Sequence, residues 1–305
     1  MKIAVFSPLS PRPSRRRLFS IACAAGVPLF PALVHGAALA NFTDGAGTSS
    51  VDQYQGIAGN GWSTPWSSAT DGTAAGTTFN SSIIDTNPLN GGGNYLSTTL
   101  TGVAAGGSKG AVWRRYDSSA VDTAQIHTVS FSIRLDSNWA SLTNAADYIQ
   151  AFDRGSSTSN SDFGNPATWL IRAFGEKPTG TNSVVAGNWM LYNGNKAGSG
   201  YNAANFIDSG VTLVSGNVYD FVISIDPANL EYRVSINGGE FSEALGFRSD
   251  ATPGTLHFGG QVTGASAEVP KTLTFSVDSI AVIPEPSVAV LVLPALLGCC
   301  IRRRA

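Results

Sequence analysis

The chain has 305 residues, a formal charge of −2, 13% charged residues and 43% hydrophobic ones. That length suffices for one large domain with its own core, and the negative balance argues against nucleic acid, whose phosphates demand a basic surface. The three cysteines, Cys23, Cys299 and Cys300, all lie toward the ends, so the body between them has no disulfide, no thiolate metal site and no cysteine nucleophile.

The amino terminus carries Lys2, Arg12, Arg15, Arg16 and Arg17 with no acid, followed by an uncharged stretch, Leu18 to Ala40, rich in Ala, Leu and Val. This is the pattern of a secretory signal peptide, with Ala38-Leu39-Ala40 as a small-x-small cleavage site. Residues 1–40 are therefore expected to be removed, and the mature chain to begin at Asn41. Ser14-Arg15-Arg16-Arg17-Leu18-Phe19 also resembles a twin-arginine export signal. Basic residues belong to any leader, so the general secretory and twin-arginine routes both stay open.

The exported body, Asn41 to Ile283, differs in charge from the whole chain. Eight of the 19 Lys and Arg residues and one of the 21 acids lie outside it, which leaves 11 against 20 and a body at about −9. It is rich in Gly, Ser, Thr, Asn and Ala, and no long run of straight-chain residues falls at helical spacing. Extended structure has to carry the fold.

Asn41 to Gly76 reads as loop, with Trp62 and Trp66 in the sequence NGWSTPWSS. Two exposed tryptophans would make a sugar-stacking platform, since pyranose C–H faces lie well on aromatic faces; buried, they would plug the end of a β-sandwich. Thr77 to Asp85 and Asn94 to Val103 read as strands around the turn-rich Asn87 to Gly93. Gly110 to Asp117 is a further strand in which Arg114 and Arg115 lie beside Trp113 and Tyr116. In an acidic body, Trp113, Arg114 and Arg115 are a candidate ligand contact, or else a solvated strand face.

Ile126 to Asp136 alternates cleanly. Val129, Phe131, Ile133 and Leu135 point one way, and Ser130, Ser132, Arg134 and Asp136 the other, as a half-buried strand requires. Asp147 to Asp153, Thr168 to Phe174 and Asn188 to Tyr192 continue the series, while the polar Gly155 to Pro166 should form a mobile loop. Val218 to Phe241 then gives two hairpins in succession, turning at Asp226-Pro227-Ala228-Asn229 and at Asn237-Gly238-Gly239. The last strand, Lys271 to Ile283, changes phase between Val277 and Ile280, so a bulge near Asp278-Ser279 is expected. The sum is an all-β fold: a single antiparallel two-sheet sandwich. The hairpin pattern across Val218 to Phe241 resembles the concanavalin-like or laminin-G-like jelly roll.

Beyond Ile283 the sequence changes character. Pro284-Glu285-Pro286 breaks any helix or central strand, and Val288 to Ile301 is free of charge. As a helix this stretch reaches about 21 Å against a hydrocarbon core of roughly 30 Å. Arg302, Arg303 and Arg304 would sit at the cytoplasmic headgroups as a membrane stop. Ile283-Pro284-Glu285-Pro286-Ser287, the apolar run and the arginines resemble the PEP-CTERM sorting signal of Gram-negative bacteria that make extracellular polysaccharide. The resemblance implies an exosortase-type sorting enzyme as partner, a transient inner-membrane tether over residues 284–305 with a membrane helix over 288–301, and delivery to the cell surface or extracellular matrix. It covers about twenty-three residues and carries an address, not an activity.

For the body, these features point to a non-enzymatic carbohydrate-binding or exopolysaccharide-associated module. Its Asn/Asp-rich turns offer oxygen ligands for calcium at Asp226, Asp278, Asp153 and Asp162, although aspartates in β-turns also serve simply as turn formers. The alternative is a polysaccharide hydrolase or lyase on the same fold. A glycosidase needs two carboxylates facing across the scissile bond. The five glutamates Glu176, Glu231, Glu240, Glu243 and Glu268 form none of the paired-acid runs that laminarinase-like relatives of the fold carry. His127 and His257 have no partner pattern of their own. No residue reads as catalytic.

Overall fold

The computed structural model describes residues 36–44, 54–71, 76–103, 105–155, 168–194, 202–249 and 252–285. The expected leader up to residue 35, most of the 155–166 loop with Asp162, Pro286 and the membrane segment with its arginines lie outside the described residues. Among the described residues there is no α-helix. Fifteen strands run in order: β1 Ala38–Ala40, β2 Ser67–Asp71, β3 Thr78–Ile84, β4 Tyr95–Gly102, β5 Ser108–Arg115, β6 His127–Leu135, β7 Tyr148–Arg154, β8 Leu170–Phe174, β9 Asn188–Tyr192, β10 Phe206–Thr212, β11 Val218–Asp226, β12 Glu231–Ile236, β13 Leu245–Gly246, β14 Thr255–Val262 and β15 Lys271–Pro284.

They form two antiparallel sheets. One has eight strands, in the order β13-β12-β11-β6-β15-β4-β3 with β1 added beside β15; the other has seven, in the order β10-β9-β8-β7-β14-β5-β2. The alternating apolar residues of both sheets meet between them. Phe131 of β6 packs edge-on to Phe258 of β14 at 5.0 Å, and Trp189 of β9 meets Phe221 of β11 at 5.1 Å. Such cross-sheet aromatic pairs contribute beyond the area they bury.

The expected strands of the body are all present, and so is the bulge. β15 shifts register between Asp278 and Ala281, and Ser279 takes a positive φ of 54° there. This lets Leu273, Phe275 and Val277 on one side of the bulge, and Ile280 and Val282 on the other, all face the core. β15 runs one residue past Ile283. Pro284 ends it opposite His127, at a strand terminus where its missing N–H is tolerated.

The structure departs from the sequence reading in two places. The stretch read as loop, Asn41 to Gly76, contains β2, an edge strand paired with β5. A central strand, β14, was missed altogether: its Gly259 and Gly260 break the alternation, yet a side chain at either would collide with Gly110 O at 2.5 Å or Tyr148 O at 2.7 Å. Ala38 and Ala40, expected to flank a cleavage site, are 0% and 4% exposed in β1, opposite Val282 and Ile280.

Candidate functional site

A strand shows alternate residues to opposite faces, so each strand of the seven-stranded sheet sends one set of side chains inward and one outward. The inward set is the core. The outward set is not the usual wetted polar face: Tyr148, Phe152, Leu170, Phe174, Met190, Tyr192 and Phe206 form a second apolar cluster on it. Polar groups are set into this layer at fixed register. Gln150 of β7 lies opposite Arg172 of β8 and Gly259 of β14, while Gln261 of β14 lies opposite Tyr148 of β7 and Lys109 of β5.

Arg172 is the centre of the arrangement and is only 4% exposed. Its guanidinium lies 4.0 Å from the Tyr148 ring centroid and 5.4 Å from that of Phe174, distances at which the ring faces attract a cation. Its Nε donates to Gln150 Oε1 at 3.0 Å. A planar fork held against aromatic plates in this way is pre-organised, and little rotamer freedom remains to be lost on binding.

A few residues along, His257 is sandwiched between the rings of Phe152 (4.6 Å) and Trp113 (5.7 Å). Burial pushes its pKa down to about 3, reinforced by the nearby Arg154 cation and opposed by its bond to the Thr255 backbone. The ring is therefore neutral at physiological pH. Its Nδ1 faces Thr255 O at 3.2 Å, and a carbonyl can only accept, so Nδ1 carries the proton.

A cavity of about 490 Å³ opens on this face, lined among others by Lys109, Asn144, Tyr148, Arg172, Phe174 and Gln261. That volume falls within the ~300–1,000 Å³ of small-ligand sites. Two cations, two amides and two aromatic rings converge on it, and none of the described residues that line it is a carboxylate. The Tyr148 and Phe174 rings are 6% and 2% exposed and face Arg172, so what the cavity offers a ligand is its polar lining, which can hydrogen-bond sugar hydroxyls and attract an anionic substituent.

The residues singled out from sequence are divided by the strand pleat. Trp62 and Trp66 are 1% and 2% exposed and pack against Tyr116 and Phe42, so they are core plugs and present no platform to a ligand. Arg114 also points inward. Its guanidinium lies 5.2 Å from the Trp62 ring and 5.7 Å from the Trp66 ring, with Nη2 3.2 Å from Asp44 Oδ2. Trp113 and Arg115, one residue to either side, take the outward phase of β5 and share the face of the cavity.

The described donors do not fit calcium. Asp226 caps its own turn, accepting from Asn229 N at 3.1 Å and Nδ2 at 2.7 Å. Asp278 sits at the bulge opposite Ser132, whereas Asp226 follows Ile225, the partner of His127. At about 3.3 Å per residue along β6 the two lie well over 10 Å apart. Asp153 is inside the core with Tyr116 OH 2.7 Å from its carboxylate, where burial pushes its pKa up to about 8 against the pull of its hydrogen bonds. No cluster of three or more acid, His or Cys side chains suited to a metal occurs among the described residues. His127 is buried in the other sheet, its pKa lowered mainly by desolvation, and its Nδ1 lies 2.8 Å from Gln125 O.

No family model and no curated protein matches this chain. Solved structures of similar course include the calcium-bound exoplasmic/lumenal domain of VIP36, at 9% identity and a TM-score of 0.44, covering 77% of this chain and 89% of that one. A family 11 carbohydrate-binding module from Clostridium thermocellum, solved with a mixed-linked tetrasaccharide, is 13% identical with a TM-score of 0.34, covering 82% and 96%. The catalytic domain of a glycoside hydrolase family 131 protein from Coprinopsis cinerea is 10% identical with a TM-score of 0.41, covering 68% and 78%. A sialidase matches over 67% of this chain, which spans only 17% of that longer protein. At these scores none of them carries a function to this chain.

Proposed function

We propose that this is an exported envelope protein whose sandwich, a jelly roll of concanavalin-like type, binds exopolysaccharide without cleaving it, in the cavity on the outer face of the seven-stranded sheet. The observation that carries the reading is the lining of that cavity: Asn144 and Gln261 as amides, Lys109 and Arg172 as cations, the latter held against the buried rings of Tyr148 and Phe174, and no acid among the described residues that line it. In a body at about −9, a cavity of this kind favours a polysaccharide bearing carboxylates over a neutral one. The leader and the PEP-CTERM-like tail supply the address. The sorting motif begins at Pro284, the last residue of β15, with Glu285 N donating to Ile126 O at 2.9 Å, and its resemblance to PEP-CTERM signals implies an exosortase-type enzyme at the inner membrane as partner.

Affinity electrophoresis of the exported protein through gels containing an acidic or a neutral exopolysaccharide tests this reading. The acidic polymer should retard it more strongly, and Lys109→Ala with Gln261→Ala should weaken retardation roughly tenfold, about 1.4 kcal/mol. Equal mobility in all gels would remove the binding function. Shortening of the polymer by the purified protein would favour the alternative, a hydrolase or lyase.

A further inference from the structure

We propose that the leader is cut before Ala38, at the Gly36–Ala37 amide, and that Ala38–Asp44 is the first structural segment of the mature domain. The inference rests on the leader reading and not on the carbohydrate site. It starts from β15, which β4 covers along Lys271–Val277 but not beyond the bulge. There β1 takes over that side, with Ala38, Leu39 and Ala40 opposite Val282, Ala281 and Ile280. A cut after Ala40 would strip β1 and leave this flank of a buried strand as an open edge, a site for unwanted pairing.

Other contacts agree. Leu39 N donates to Asn60 O at 3.0 Å, and Leu39 O accepts from Trp62 Nε1 at 2.8 Å. Removing Leu39 would leave the indole N–H of a tryptophan that is 1% exposed without its acceptor, at the desolvation cost of an unmade buried hydrogen bond. Gly61, at φ +83°, has no side chain where a Cβ would lie 2.5 Å from Ala37 O and from Ala38 Cα. The chain is thus shaped at Gly61 to receive this segment. Phe42 is fully buried and stacks on Trp66, and Asp44 pairs with buried Arg114.

Upstream, Gly36 is exposed and precedes β1, so the Gly36–Ala37 bond lies outside the sheet. Val34 and Gly36 stand at the third and first positions before it in the sequence, four residues upstream of Ala38 and Ala40 in the alternative site. Water adds across that amide, leaving a carboxylate on Gly36 of the leader and an ammonium on Ala37 of the domain. The Ala40–Asn41 bond, by contrast, directly follows β1 and is held at the sheet through Ala40, opposite Ile280.

The test is N-terminal sequencing and intact mass of the protein exported from a Gram-negative host carrying the full chain. The expected first residue is Ala37. Gly36→Trp should block that cut and retain the precursor, while Ala40→Val should leave the start at Ala37. A start at Asn41 would overturn the inference and leave the leader reading intact; an uncut leader would overturn both. Neither result bears on glycan retardation, so this proposal and the binding reading fail separately.

Discussion

The two outer faces of the sandwich are built from the same alternation and have opposite chemistry. On the eight-stranded sheet, the rows Thr78–Thr101–Thr272, Asn80–Thr99–Thr274 and Ser82–Ser97–Ser276 run across β3, β4 and β15, hydroxyl and amide throughout, and most of these side chains meet solvent. On the seven-stranded sheet the corresponding face is aromatic, guanidinium and amide, and every residue of β7, β8 and β14 is buried. A strand with one wet face needs only a core on the other. When both faces are buried, the outward side chains are under a second set of constraints, and the cavity among Tyr148, Phe174 and Arg172 is where they stop short of filling space.

The largest expected effect breaks the idea that only the inter-sheet layer holds the fold. Phe174→Ala, on the outer layer and edge-on to Phe206 at 5.0 Å, should lower unfolding free energy in urea by about 3–5 kcal/mol, as for a core aromatic. Trp62→Ala should cost a similar amount, about 3–5 kcal/mol, yet leave glycan retardation of the folded fraction unchanged. Reduced binding with unchanged stability would make Trp62 a ligand contact after all.

A smaller effect is set by two buried titrating groups on opposite faces of the seven-stranded sheet. Asp153, with its pKa raised to about 8, keeps its proton in the fold over a range where the unfolded chain is ionised, so its contribution falls as pH rises from about 4 through 8. His257, lowered to about 3, stays neutral in the fold where the unfolded chain is charged, so its contribution is lost as pH falls from about 6.5 toward 3. The two oppose each other between about pH 4 and 6.5, and above that Asp153 acts alone. Thermal melts should therefore weaken from pH 6.5 to 8 by roughly 1–2 kcal/mol, and Asp153→Asn should abolish that slope. Smallest of all, Thr99→Ala on the hydroxyl face should stay within about 0.5 kcal/mol of the parent, although it removes a Thr99–Thr274 contact at 3.1 Å.

The same contrast explains what could be read from the sequence. β6, β11, β12 and β15 each present one core face, so their period-2 patterns were legible, down to the phase change that makes the bulge at Ser279. β14 is covered on both sides and carries Gly259 and Gly260 for close approach, so its pattern shows neither alternation nor a continuous apolar run. β10 and β13 gave no signal because they are an exposed edge and a two-residue pairing. At the site, the tryptophans were the conspicuous feature and the pleat turned Trp62, Trp66 and Arg114 inward. The quieter signal was polar residues at alternate positions of otherwise apolar strands. Gln150 and Arg154 in YIQAFDR and Arg172 in LIRAF are polar groups on buried strands, where burial requires partners such as the Arg172–Gln150 bond.

Placing the ligand on the molecule tests the central claim most directly. Titrating oligomers of an acidic exopolysaccharide into isotope-labelled protein and following backbone amide shifts should move signals from β7, β8 and β14 around Tyr148, Arg172 and Gln261. The threonine rows of the opposite sheet should stay still. Shifts gathered instead on Thr99 and Thr274, with the cavity residues unmoved, would contradict the assignment of the seven-stranded sheet as the binding face.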